Sequence, residues 1–310
     1  MVESVCFYQL NKISCLKVDF ITRILYHRTS RSCTGKTEEA MQVTHVASID
    51  SADLQPYRTL RRPVDHQRRG IFVAEGEKVV RRLLESELEI ISVLLTPEWL
   101  AVYRRLLETK GDGLSVFVAD KKLVESIVGF RLHQSIMAVA KIPKASTLDG
   151  VLAGTTRPHL FVAIDGLTNA ENLGALVRNC AAFGVQALLV GETASSPYLR
   201  RAVRNSMGAV FRLPVVHLTS LMSTLTEMRS KHGICAIAAH PQSTSKQLSR
   251  AKFANDCCIV FGSEGEGISQ GVLAACDEAT VIPMAEGVDS LNVASASAVV
   301  LYEAQRQRRL

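Results

Sequence analysis

Three segments of the chain carry residue types and spacings that suit chemistry rather than packing. The first is Phe261-Gly-Ser-Glu-Gly-Glu-Gly-Ile-Ser. Glycines at 262, 265 and 267 let backbone approach a ligand closely. A phosphate loop is excluded, because Glu264 and Glu266 would repel phosphate and no Gly-Lys-Ser/Thr follows. The glycine order is not that of a dinucleotide fingerprint either. Gly35-Lys36-Thr37 imitates the end of a phosphate loop, yet Ser30 stands where its first glycine belongs. An acidic glycine loop suits a neutral or cationic ligand, of which a sulfonium is one.

The second segment runs from Asp165 through Asn172-Leu-Gly-Ala-Leu-Val-Arg178. Leu173, Leu176, Val177, Cys180 and Ala181 recur at helical spacing, the apolar stripe of a helix expected to start near Asn172, a good N-cap residue. Arg178 follows Leu173 by five residues, about 140° round the helix, and so points off that stripe. Gly174, one turn earlier on the same side, costs about 1 kcal/mol of helix propensity and should leave open space beside the guanidinium. A surface arginine near a tolerated glycine is the plainer alternative. The third segment is Val281-Ile-Pro-Met-Ala-Glu-Gly-Val-Asp-Ser-Leu-Asn-Val-Ala. A strand ends at Pro283 and a small-residue helix begins near Asn292, with Ser290 and Asn292 flanking Leu291. Taken alone, this pair is explained by simple N-capping.

The elements that must position these segments are legible from periodicity. Apolar runs at His159–Ile164, Gln186–Val190, Pro214–His217, Ile234–Ala239, Cys257–Phe261 and Thr280–Ile282 alternate with helical patterns. Such alternation implies a parallel sheet covered on both faces. Ligands in these sheets bind beyond the carboxyl ends of the strands, which singles out the loops after Ile164, Phe261 and Ile282. Upstream, runs at Ile71–Ala74, Ile91–Thr96, Ser115–Ala119 and Ser135–Ala140 alternate with amphipathic stretches and form a smaller α/β unit, residues 60–142. Residues 143–158, with Gly150 and Gly154 between prolines, read as a linker to a larger domain, 159–310.

At 310 residues and 47% hydrophobic content the chain can build two domains with real cores. No run reaches the roughly 20 apolar residues of a bilayer span. The net charge of +6 is uneven. Arg58, Arg61, Arg62, His66, Arg68 and Arg69 crowd together and Lys78, Arg81 and Arg82 follow, a candidate polyanion contact or else a solvated face. Eight cysteines include no C-x-x-C pair and no histidine at metal-ligand spacing. Buried thiols in a reducing cytoplasm are expected, and no metal. Residues 1–50 read as a basic, poorly ordered extension: a transit peptide to an organelle, a disordered arm, or an upstream extension with Met41 as the start.

In this order, each after an expected strand, the three segments resemble the SpoU (TrmH-type) RNA 2′-O-ribose methyltransferases of the SPOUT superfamily. The resemblance rests on Asn172-Leu-Gly-Ala-Leu-Val-Arg178, Gly262-Ser-Glu-Gly-Glu-Gly267, Ile282-Pro-Met and Ser290-Leu-Asn-Val-Ala294, and it covers Phe161 to Ala304. Val73-Ala-Glu-Gly-Glu77 and His133-Gln134 resemble, more loosely, the small L30e-like RNA-binding domain that precedes the catalytic half in many members. There Ser135 stands where a glycine is common. The resemblance implies an α/β fold with a deep C-terminal trefoil knot, a homodimer with a composite active site, and S-adenosyl-L-methionine as cofactor. Gly262, Ser263, Gly267, Ile282, Met284, Leu291 and Asn292 would hold that cofactor. Arg178, Asn172, Glu264, Ser290 and Asn292 would form the catalytic set, and Arg68, Arg69, Arg81 and Arg82 would meet structured RNA. Ribosomal RNA is the favoured substrate, with transfer RNA open. A SPOUT relative that binds RNA without methylating it, or one that methylates a base, is the competing reading.

Overall fold

A computed structural model describes residues 42–309, apart from 49, 112, 129–134 and 242–244. The expectations for the N-terminal arm up to Met41, for Gly35-Lys36-Thr37, for Cys6, Cys15 and Cys33, and for His133-Gln134 lie outside the described residues. Residues Glu39–Leu310 form one compact unit that contains two sheets.

The first sheet is built from β1 (Val43–His45), α1 (Gln55–Arg58), α2 (Pro63–Arg68), β2 (Ile71–Glu75), α3 (Glu77–Leu84), β3 (Ile90–Leu95), α4 (Pro97–Glu108), β4 (Ser115–Val118), α5 (Lys121–Val128) and β5 (Ile136–Lys141). Its order is β1-β4-β3-β5-β2. The strands are apolar at almost every position, and both faces are covered. β1, β4 and β3 run parallel, while β5 lies antiparallel to both β3 and β2. β1 corrects the expectation that everything up to residue 50 is a poorly ordered extension. Val43 pairs with Val116 and packs half-buried on the core, so the edge of β4 draws this short segment into the sheet.

The second sheet follows: α6 (Leu148–Gly154), β6 (Leu160–Ile164), α7 (Ala170–Ala182), β7 (Ala187–Val190), α8 (Arg200–Asn205), β8 (Val215–His217), α9 (Leu221–His232), β9 (Cys235–Ala239), β10 (Lys246–Gln247), β11 (Cys257–Phe261), α10 (Gln270–Ala275), β12 (Glu278–Val281) and α11 (Val293–Arg308). Its order is β10-β12-β9-β11-β6-β7-β8, with every pairing parallel. All six strands expected from the sequence are present, displaced by at most two residues at an end. The expected linker is not structureless. Thr147 caps α6, its hydroxyl accepting from the Gly150 amide at 3.1 Å, and Val151 is buried against the sheet.

Side chains alternate across β6. Leu160, Val162 and Ile164 face one core, shared with α7, α11 and the first sheet, and Phe161 and Ala163 face another under α9 and α10. Phe72 of β2 stacks near Tyr198 (5.4 Å between centroids) and Phe211 (5.7 Å), which joins the two sheets through apolar contact. Cys180, Cys257 and Cys258 are buried free thiols, with their ionisation pushed upward by burial. Among the described residues no helix is long and apolar enough to cross a membrane, and no group of His, Cys, Asp or Glu is arranged to hold a metal.

Candidate active site

Parallel strands deliver their following loops to one end of a sheet. At that end the Asp165 loop, the glycine loop and the segment before α11 meet. The Asp165 amide donates to Phe261 O at 2.9 Å, and its buried carboxylate accepts from the Ser269 amide at 2.7 Å. This carboxylate ties the loop after β6 to the end of the glycine loop. Gly262 and Gly267 fold that loop back on itself: the Ser263 amide donates to Gly267 O at 2.9 Å, and Gly267 takes φ +71°. A side chain at position 262 would overlap the backbone of Gly267 and Ile268. Ser263 spends its hydroxyl inside the loop, accepting from the Glu266 amide at 3.2 Å.

Helix α7 begins earlier than its apolar stripe suggests. Asn169 is the N-cap, accepting from the amides of Glu171 (2.9 Å) and Asn172 (3.1 Å). Asn172 is therefore in the first turn, and its side chain is released from capping. Its amide nitrogen donates to Glu264, and its carbonyl oxygen accepts from Asn292 Nδ2 at 3.2 Å. Asn292 is itself the N-cap of α11, accepting from the Ala294 amide at 2.9 Å. One hydrogen-bonded chain, Glu264–Asn172–Asn292, thus links all three motif segments. Two turns along the same face of α7, Asn179 donates to Ala294 O at 2.8 Å and Ser297 Oγ at 2.9 Å, which fixes α11 against α7.

Beside this chain lies an open cavity of about 470 Å³ whose lining includes His240, Ile282, Met284, Asp289, Ser290 and Leu291. Three of the expected cofactor residues, Ile282, Met284 and Leu291, and the expected catalytic Ser290 line it. Gly262, Ser263, Gly267 and Asn292 do not, but Gly267 stands against the imidazole of His240, within 3.5 Å of where its Cβ would be. The walls are largely apolar with hydroxyls at Thr280 and Ser290 and a carboxylate at Asp289, and Glu264 belongs to the neighbouring loop. A flat apolar ring and a cationic centre both suit that lining.

Arg178 behaves differently from its expectation. It is exposed and has no hydrogen-bond or ion-pair partner among the described residues. Six residues separate it from Asn172, which turns it about 120° round the helix, so one α7 cannot aim both at one point. Nor does Gly174 leave open space. A Cβ there would overlap the Ala202 carbonyl and come within 2.7 Å of Asn205 Cβ. The glycine lets α8 pack directly on α7.

The basic stretch also divides. Arg68 and Arg69 are exposed at the end of α2, where Arg69 donates to Gln55. Arg81 pairs with Glu85 at 2.8 Å in solvent, and Arg82 donates to the Met207 carbonyl of the larger sheet region. His66 is buried, held by Thr59 and the Pro56 carbonyl, and burial lowers its pKa. It adds no cation to the surface. Sequence reasoning missed His240 and the arginines of α8. The loop after Ala239 ends a central strand, and the same carboxyl-end rule would have singled it out. Arg200-Arg-Ala-Val-Arg204 is visible as a basic run without a partner to interpret it.

Residues 159–302 match the SpoU rRNA Methylase family. An uncharacterized tRNA/rRNA methyltransferase of Mycobacterium bovis is 30% identical over 279 residues, covering 86% of this chain and 93% of that protein. The 23S rRNA (guanosine-2′-O-)-methyltransferase RlmB of Ralstonia nicotianae is 34% identical over 197 residues, 63% of this chain and 78% of that protein. Among solved structures, the SpoU methyltransferase AviRb from Streptomyces viridochromogenes in complex with AdoMet superimposes with a TM-score of 0.72 at 25% identity, covering 84% of this chain and 99% of that one.

Proposed function

Because the chain belongs to the SpoU rRNA methylase family, we propose that it transfers a methyl group from S-adenosylmethionine to a ribose 2′-hydroxyl of RNA, ribosomal RNA before transfer RNA. The observation that carries this reading is that the Glu264–Asn172–Asn292 chain joins the three motif segments, the last of which lines the cavity.

When bound, S-adenosylmethionine supplies an electrophilic methyl on a sulfonium. Ile282, Met284 and Leu291 hold it through the apolar wall, with Asp289 and Glu264 favouring positive charge nearby. Ser290 offers a hydroxyl at the cavity to orient ribose or cofactor. Asn172 and Asn292 spend their amides on each other and on Glu264, so they act as positioning residues that fix the loops before substrate arrives. The oxygen–methyl bond forms as the methyl–sulfur bond breaks, the sulfur keeping that electron pair, and the hydroxyl proton passes to solvent water. Arg178, protonated at any working pH, stabilises the developing alkoxide electrostatically rather than removing the proton.

Arg178 reaches that oxygen from a second copy of the chain, which makes the working form a homodimer. Its angle to Asn172 on α7 supports this, as do the exposed Val299 (39%) and Tyr302 (60%) on α11. The finer architecture follows the family: a trefoil knot through the segments after β11 and β12, and residues 60–142 as an L30e-like RNA-binding domain ahead of the 143–158 linker and the catalytic domain. The partition of α/β units between two sheets supports that division.

The test is incubation of purified protein and methyl-labelled S-adenosylmethionine with total RNA from a strain lacking the gene, followed by nuclease mapping. Label in an alkali-resistant linkage, the signature of a blocked 2′-hydroxyl, is the expected result. Label on a base, or none, would refute the assignment.

A further inference from the structure

Helix α8 carries three guanidinium groups in five residues, Arg200, Arg201 and Arg204, while Ala202 and Val203 are buried beneath them. Gly174 allows this helix to lie directly on α7. Between the two is an open cleft of about 400 Å³ lined by Glu171, Arg200, Arg201, Arg204 and Asn205. The three cations outnumber the two carboxylates beside them, Glu75 and Glu171. Glu75 of β2, its side chain 2% exposed, accepts from Arg200 and, at 3.1 Å, from Arg204, and so sits behind both groups. Arg204 remains 56% exposed. Arg201 meets Glu171 only at 3.8 Å with both side chains well exposed, a contact of little energetic weight. Arg200 Nε is buried without an acceptor among the described residues.

We propose that this cleft binds a phosphodiester of the RNA backbone flanking the target nucleotide. The inference rests on the RNA methyltransferase reading and adds the place where the strand is held. Guanidinium forks match phosphate oxygens in geometry and in charge. The cleft opens to solvent beside exposed Arg201 and Arg204, which leaves room for a polymer backbone. Glu75 plays a preparatory part: a buried carboxylate orients two arginines in advance, so less side-chain freedom is given up when phosphate arrives. Arg178 belongs to the same surface. It follows Glu171 by seven residues, within about 20° on the face of α7 and about 10 Å along its axis. Arg82, expected from sequence to touch RNA, instead donates to Met207 just beyond α8, a residue with left-handed backbone (φ 53°). It therefore helps hold the cleft.

The experiment compares R201A/R204A with wild type and with R250A/K252A, a charge-matched control at exposed positions near β12. Binding of a random-sequence single-stranded RNA 30-mer is measured across a salt series, with S-adenosylmethionine binding and Tm followed alongside. Removing one cation that neutralises a phosphate should lower the log–log salt slope by about 0.7. R201A/R204A should therefore flatten it by about 1.4, R201K/R204K should restore most of it, and cofactor binding should hold, while Tm falls only modestly because Arg200 still pairs Glu75. An unchanged slope in R201A/R204A, or an equal change in the control, would overturn the cleft assignment. The slope is read without turnover, so a wild-type chain that transfers no methyl counts against the proposed reaction and not against the cleft.

Discussion

The two sheet regions use buried polar groups in opposite ways. In the first, polar side chains close the structure on itself: Tyr57 and Ser92 share a hydrogen bond of 2.8 Å inside the core, and His66 joins the Pro56 carbonyl to Thr59. In the second, the core strands are apolar throughout, and the polar groups gather where strands end, in Asp165, Asn172, Glu264 and Asn292. A mixed sheet with an antiparallel strand inside it has no single end for loops, whereas an all-parallel sheet concentrates them. The residues singled out for chemistry gather in the second arrangement.

The sharpest way to break this contrast is to remove the cation that the proposed reaction takes from the second region. Arg178→Ala should lower turnover about 100- to 1,000-fold, the usual loss for one electrostatic donor, with S-adenosylmethionine affinity nearly unchanged in calorimetry. Near-normal single-turnover rates would take Arg178 out of the reaction.

Next comes the place where the regions depend on each other. Glu75→Gln leaves Arg200, only 16% exposed, without its counter-charge, and breaking a buried pair costs roughly 3–5 kcal/mol. Urea unfolding should show a loss of that order. A change inside measurement error would mean that Glu75 does not hold α8.

Gly174→Ala probes packing within the second region alone. The methyl group would push against the Ala202 carbonyl, and overpacking of this kind costs about 1–3 kcal/mol. Tm should fall, and RNA affinity with it as α8 shifts. An alanine variant as stable as wild type would restore the alternative of a merely tolerated glycine.

The smallest effect separates the regions by pH. Burial lowers the His66 pKa below its usual 6.5, and His217 at the end of β8 shifts the same way. The folded state then binds fewer protons than the unfolded chain. Its stability is fully present above about 6.5 and is lost as pH falls through that value toward the folded pKa. His66→Gln should flatten the decline in stability below pH 6.5. An identical pH profile would show that the first region is not the acid-sensitive part.

Much of the molecule is legible in linear order. Six apolar runs mark the strands of the large sheet because burial on both faces leaves no polar positions. Short elements without such runs escape: Val43–His45 is a strand only because β4 has an edge to pair with, and Thr147 starts a helix within a segment that reads as linker. At the site, Asn172 resembles a cap because the apolar stripe starts beside it. Asn169 outcompetes it by accepting two amides from a position three residues earlier.

Sequence by itself singled out the side chains to which the proposed chemistry is assigned, since glycine, asparagine and arginine at those spacings have few structural uses in common. Only the tertiary structure decided what each one does. It turned Gly174 from a gap into a contact, Arg82 from a candidate RNA contact into a clamp, and Asn172 into the bridge between two loops. The reason is physical: residue type fixes what a group can donate, accept or fill, and only its neighbours, brought from 28 to 125 positions away, fix whether that capacity is already used.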